Sequence, residues 1–368
     1  LSRKRLIAAG WRIISNQPVR RRCRTGSVAP CRSTALIRRA ALLPETQTAV
    51  VGTGLASAGA EAAIFNQAGG LRVKLQILDR QGPDWQAPNL QMAPLQPLSF
   101  DWSARAGVEL AVLRMDLLDP LLSGNKWFKL LPHLRAAQRC GARGLISLGG
   151  AHSNHLHALA AAGRRFGFDT VGLLRGEAQI TPTVADLQTY GMQLHWLGYA
   201  GYRARHQPGF AQEWLQRYPG FYLIPEGGGG VVGASGFAAV PQLLEEQLPQ
   251  LGWSDYDACW LAVGTGTTLA GLVMAENGRH ALYGAQVVPA GYGVDSQIRQ
   301  ILQQAGRVDT GYRLLDASRG GYARIDSDLA DFIAQMDEDG QLPLEACYTG
   351  KALLALRELP LQQATVGI

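Results

Sequence analysis

The chain has 368 residues, 47% of them hydrophobic and 17% charged, enough for a sizeable core and about two domains, which excludes a disordered or fibrous chain. No apolar run approaches the ~18 residues of a membrane-spanning helix, so no membrane partner is expected. Five cysteines, Cys23, Cys31, Cys140, Cys259 and Cys347, are odd in number and contain no C-x-x-C pair. Neither a disulfide framework nor a zinc site is indicated, and a reducing, cytoplasmic setting fits best.

The net charge of +6 invites a nucleic-acid reading, but its distribution removes that invitation: residues 1–91 hold 14 Lys and Arg against 4 Asp and Glu, and the rest of the chain holds 21 against 25. Residues 1–44 are the most basic part and contain no acid. Their composition is similar to that of a transit peptide or a nucleic-acid-binding arm, yet Gly10, Pro18, Gly26 and Pro30 interrupt every candidate helix. Met92 is the first methionine. We therefore expect residues 1–91 to be a basic N-terminal extension outside the fold. The run Val50-Val51-Gly52-Thr53-Gly54 imitates a dinucleotide-binding turn, but position 57 is Ser where the third glycine belongs.

From about residue 108, short apolar runs alternate with helical segments. In chain order, 108–114 reads as a strand, 129–140 as a helix, 144–148 as a buried strand, 154–166 as an Ala-rich helix and 170–174 as the next strand. Further units follow: strand 221–224, helix 233–247, strand 258–263, helix 268–276, strand 282–287 and helix 296–305. This order predicts an α/β protein of two domains, each with a mostly parallel sheet packed between helices. The large domain is placed at 92–134 and 230–368, and the small one at 135–229.

Ligands of such sheets bind where strand C-terminal ends meet helix N-termini. Three loops carry suitable chemistry: 148–155, with Gly149, Gly150, Ser153 and Asn154; 226–230, an acid followed by four glycines; and 264–268, Gly264-Thr265-Gly266-Thr267-Thr268. The last combines backbone freedom, hydroxyls and a helix N-terminus, the ingredients of a phosphate cradle without a nucleotide fingerprint. Ser123-Gly124-Asn125-Lys126 places a lysine at a turn just before a helix, flanked by aromatic residues. A lysine coupled to a phosphate cradle suggests pyridoxal phosphate, whose aldehyde needs an amine. His152, His155 and His157 lack a completing acid or cysteine, so no metal is expected.

The strings LSGNKWFKL, SLGGAHSNH, IPEGG, AVGTGTTLAGL and YTGKA resemble, in order and spacing, the fold-type-II pyridoxal-phosphate enzymes of the 1-aminocyclopropane-1-carboxylate deaminase and D-cysteine desulfhydrase family. The resemblance covers roughly 96–360 and implies the following roles. Lys126 would be the Schiff-base lysine. Asn154 would meet the cofactor's ring hydroxyl, and Ser153 would lie beside the substrate. Gly264, Thr265, Gly266, Thr267 and Thr268 would hold the phosphate, and Thr349 would face the pyridine nitrogen. Tyr322 and Tyr348 match active-site tyrosines. A small amino acid would be the substrate, and a homodimer is expected. Relatives commonly carry Gly-Gly-Ser-Asn where this chain has Gly227 to Gly230. The deaminases carry Tyr-Glu-Gly-Lys where this chain has Tyr348-Thr349-Gly350-Lys351, which favours a D-cysteine desulfhydrase-like activity. The alternatives are 1-aminocyclopropane-1-carboxylate deamination and, from another class, a cofactor-binding protein with little turnover.

Overall fold

A computed structural model describes residues 4–9, 90–122, 124–307, 311–339 and 342–359. The strands are β1 (Lys4–Ala9), β2 (Leu95–Leu98), β3 (Val108–Leu113), β4 (Gly144–Gly149), β5 (Asp169–Leu174), β6 (Gln193–Trp196), β7 (Phe221–Leu223), β8 (Ala258–Val263), β9 (Ala281–Gln286) and β10 (Tyr312–Asp316). The helices are α1 (Asp101–Ala106), α2 (Asn125–Arg139), α3 (Asn154–Phe166), α4 (Pro182–Thr189), α5 (Gly198–Arg203), α6 (Phe210–Arg217), α7 (Gly230–Ser235), α8 (Val240–Gln247), α9 (Thr267–Glu276), α10 (Val294–Gln304), α11 (Ser327–Asp339) and α12 (Thr349–Glu358).

Two sheets organise these elements. The larger has the order β10-β9-β8-β1-β3-β2 and is parallel except where β2 meets β3. The smaller, β6-β5-β4-β7, is parallel throughout. Helices cover both faces, so central strands are uninterrupted apolar runs, as parallel sheets require. All six residues of β4 are buried. The large sheet has one core on each face: Leu261, Val263 and Leu269 belong to one, and Trp260, Ala285 and Leu353 to the other. The α/β class and the packing of mostly parallel sheets between helices are thus as the alternation predicts.

One expectation fails for part of the N-terminal segment. Lys4–Ala9 is no appendage: it lies between β3 and β8, with Leu6 beside Leu110 on one side and Ala258 on the other. Ile7 is fully buried in one core and Ala8 in the other. The apolar run Leu6-Ile7-Ala8 is hidden by the arginines around it when charge is averaged over 44 residues. Residues 10–89, including the glycine turn at 52–54, lie outside the described residues. Among the described residues, no helix is long and apolar enough to cross a membrane.

Helix boundaries also shift. The helix predicted over 129–140 begins at Asn125, because Gly124, at φ 68° and ψ −151°, turns the chain directly into it. Lys126 therefore sits in the first helical turn. Pro132 inside this helix offers no N–H to the Phe128 carbonyl, and Gly236 packs so closely that a Cβ there would overlap that oxygen. The predicted helix 233–247 is broken into α7, a 3₁₀ turn at Gly236–Ala239 and α8, with Pro241 in the first turn of α8.

Candidate active site

The three loops singled out in the sequence follow β4, β7 and β8, at the C-terminal ends of their strands. From β8 the chain passes through Gly264 and Thr265 to Gly266, whose φ of 79° aims it into α9. A residue with a side chain would be strained at Gly266 and would also strike Ile298. Thr267 and Thr268 are buried at the first turn of α9, where unpaired backbone N–H groups and the positive end of a ten-residue helix favour an anion.

Lys126 is tied to this loop through a short relay. Its Nζ donates to Asn125 Oδ1 at 2.8 Å, and Asn125 Nδ2 donates to Thr268 Oγ1 at 2.9 Å. The amine and the proposed phosphate cradle are therefore set in one geometry by a single asparagine.

The four-glycine loop closes over the same place. Gly227 and Gly228 both have φ of 71°. A Cβ on Gly227 would lie 3.0 Å from Thr265 Cγ2, and one on Gly228 would lie 3.0 Å from Lys129 Cβ and 3.5 Å from His155 Nδ1. Glu226 turns the other way, accepting from Tyr202 Oη at 2.7 Å and Arg205 Nε at 2.8 Å. It anchors the loop to α5 and the 3₁₀ turn after it.

Beneath the loop lie three buried titratable groups. Burial pulls the Lys129 ammonium down to about 8, and among the described residues it has no hydrogen-bond or ion-pair partner. Burial takes the His133 ring down to about 4; its Nε2 lies 3.1 Å from the Gly229 carbonyl oxygen. Burial, then the nearby Lys126, Lys129 and His133, hold His155 well below the ordinary imidazole value. Ser147 Oγ donates to the Ile224 carbonyl at 2.8 Å, so His155 Nε2, 2.8 Å from that hydroxyl, is assigned the proton. His155 Nδ1 is then a buried acceptor without a partner.

The remaining predicted residues stand at the start of α3, between β10 and α11, and at the start of α12. Ser153 caps α3, its Oγ accepting from the Leu156 N–H at 3.2 Å, and Asn154 is the first residue of that helix. Tyr348 lies against Gly264, where a Cβ would be 3.0 Å from its Cε1. Tyr322 meets Tyr348 edge-on, with ring centroids 5.5 Å apart. Burial raises both phenols well above their ordinary value, so both keep their protons at neutral pH. Thr349 opens α12, and its hydroxyl is engaged locally: it accepts from the Glu345 N–H at 2.9 Å and donates to the Glu345 carbonyl at 3.3 Å.

Residues 89–366 match the family described as pyridoxal-phosphate dependent enzyme. The chain belongs to that family. Two relatives carry the provisional name 1-aminocyclopropane-1-carboxylate deaminase. The one from Thermotoga maritima is 30% identical over 285 residues, covering 74% of this chain and 90% of that protein. The one from Pyrococcus furiosus is 26% identical over 293 residues, covering 74% and 87%. A solved structure of an ACC deaminase homologue superposes with a TM-score of 0.60 at 24% identity, covering 75% of this chain and 86% of that one. The fold is fold type II.

Features of the chain fit a pyridoxal-phosphate enzyme independently of the match. An anion cradle that side chains would fill, a buried cation without a counter-charge and an unpartnered buried acceptor meet around one lysine. Lys126 would hold the cofactor covalently, the 264–268 loop would take its phosphate, and Lys129 would complement the phosphate charge. Asn125, Lys129 and Glu345 were given no role from the sequence, and His155 was weighed there only as a metal ligand. The spacing of Lys126, Lys129 and His133 along one face of α2 was the available signal for Lys129.

Proposed function

We propose that this pyridoxal-phosphate enzyme eliminates the β-substituent of a small D-amino acid, with D-cysteine giving pyruvate, sulfide and ammonia. The observation that carries the reading is the start of α12. When bound, the cofactor supplies a conjugated ring that accepts charge from the substrate's α-carbon. How long it holds that charge depends on what faces the ring nitrogen. Here that group would be Thr349, a neutral hydroxyl at the positive end of a ten-residue helix, and both features disfavour a proton on the nitrogen.

The nearest carboxylate does not compensate. Glu345 is spent as a helix cap, accepting from the N–H groups of Cys347, Tyr348 and Thr349 at 2.6 to 2.7 Å. A weakly accepting ring suits a reaction in which the leaving group carries charge away promptly. It suits transamination and cyclopropane ring opening less. Lys126 would take the α-proton, and the two phenols, which stay protonated, would donate. Ser153 Oγ, already an acceptor in its cap, has its own proton to offer a carboxylate.

Deamination of 1-aminocyclopropane-1-carboxylate is the second reading, favoured by the names of the two relatives and by the paired tyrosine hydroxyls. Incubating the loaded enzyme with D-cysteine, β-chloro-D-alanine and the cyclopropane acid separates the two. We expect pyruvate from the first two and little 2-oxobutanoate from the third. Efficient 2-oxobutanoate release without pyruvate would reverse the assignment.

A further inference from the structure

Lys351 is 1% exposed and among the largest fully buried side chains of the protein. Its Nζ meets three backbone carbonyl oxygens, those of Ser318 at 2.8 Å, Gly321 at 2.5 Å and Tyr322 at 3.1 Å. An ammonium has three protons, so all its donors are used and none is left for an aldehyde. None of the partners is a carboxylate. Every direct partner of the charge is a carbonyl dipole, as in protein cages that hold a desolvated monovalent cation, and the carboxylates of Asp326 and Glu345 favour it from farther away.

These carbonyls belong to one tight turn, which is difficult to form. Arg319 stands in the left-handed region at φ 49°, followed by Gly320 at φ 80°, a conformation that for arginine is normally held only by surrounding contacts. Arg319 supplies some of them through ion pairs to Asp326, Asp328 and Glu358. Lys351 supplies the rest from inside. The turn ends in Tyr322, and Lys351 rides on α12 three residues beyond Tyr348. One ammonium thus joins the two segments whose tyrosine rings meet edge-on beside Gly264. A cavity of about 290 Å³, lined by Asp316, Arg319, Asp326, Lys351 and Glu358 among others, leads to this point.

We infer that Lys351 is a positioning residue, a built-in monovalent cation whose charge gathers the 318–322 turn and sets Tyr322 against Tyr348. The consequence for turnover rests on the active-site reading of those tyrosines; the consequence for the turn does not.

Lys351→Ala removes the ammonium and leaves room that n-propylammonium fits in shape and charge. In the full-length enzyme loaded with cofactor, amide exchange across 317–323 should speed up about tenfold or more, and pyruvate release should fall about as much. Both should recover with n-propylammonium, and neither with n-propanol or tetramethylammonium at equal ionic strength. Lys351→Met, which keeps the apolar stem, covers the case in which the alanine variant does not fold, and should loosen the same amides without recovery. Equal rescue by n-propanol, or wild-type protection of the turn in either variant, would overturn the inference. If the wild-type enzyme releases no keto acid from any substrate, the functional reading fails while the exchange result still decides for or against Lys351.

Discussion

Lys126 and Lys129 stand one turn apart on α2 and meet opposite surroundings. The first is bonded to Asn125 beside the threonine loop, and the second is buried without a counter-charge. The histidines packed nearby make this region acid-sensitive. His133 takes up a proton near pH 4 in the fold, against 6.5 for an ordinary ring. A depressed base contributes stability above the higher value and loses it as pH falls towards the lower one. Between pH 6.5 and 4 the unfolded chain gains a proton that the fold refuses, which is up to about 3 kcal/mol from this ring alone. His155 acts in the same direction. Urea midpoints should therefore drop over this interval, and His133→Gln should flatten the drop. A His133→Gln profile as steep as that of the wild type would contradict the assignment. Taken one at a time, Lys129, His133 and His155 do not announce themselves in the sequence, where a lysine after a turn reads as solvated and a histidine on an apolar helix reads as packing; burial makes them unusual, and burial is a property of the fold.

At the scale of elements, the glycine loop separates space from strain. Gly228 and Gly230 both have positive φ, 71° and 77°, but a Cβ would meet Lys129 at the first and nothing within 4 Å at the second. Gly230→Ala should cost about 1 kcal/mol from backbone strain and still load cofactor normally. Gly228→Ala adds a tight contact with Lys129, the residue that would complement the phosphate charge, and its cofactor affinity, read by titrating the visible absorbance, should fall about tenfold or more. Equal behaviour of the two variants would mean that the loop does not close over the site. The three loops and six of the ten described strands were legible because parallel strands are apolar runs, several of them ended by glycines, whereas β1, β2, β6 and β10 were not read as strands. The start of α2 was not, since Asn125 and Lys126 look like part of a turn until Gly124 is seen to complete it. Asn125 was missed for the same reason: its chemistry lies in a bond to Thr268, 143 residues away.

Across the whole molecule, the unexpected member is β1. Composition places residues 1–91 outside the fold, and on that view a chain beginning at Met92 would fold unaided. Pairing with both β3 and β8 reverses the expectation for Lys4–Ala9, because its removal strips two strands of a partner. A chain beginning at Met92 should be poorly soluble or melt well below the full chain. Ile7→Ala, in the full chain, should cost roughly 2 to 5 kcal/mol. Unchanged melting in both would show that β1 contributes little to the sheet.

Everything proposed here about chemistry depends on which amine holds the cofactor. Reducing the loaded enzyme with borohydride and mapping the peptides gives the most direct answer. A pyridoxyl group is expected on Lys126, within the peptide that also contains Asn125 and Trp127, and none in Lys126→Ala. A pyridoxyl group on Lys129 or Lys351 would contradict it.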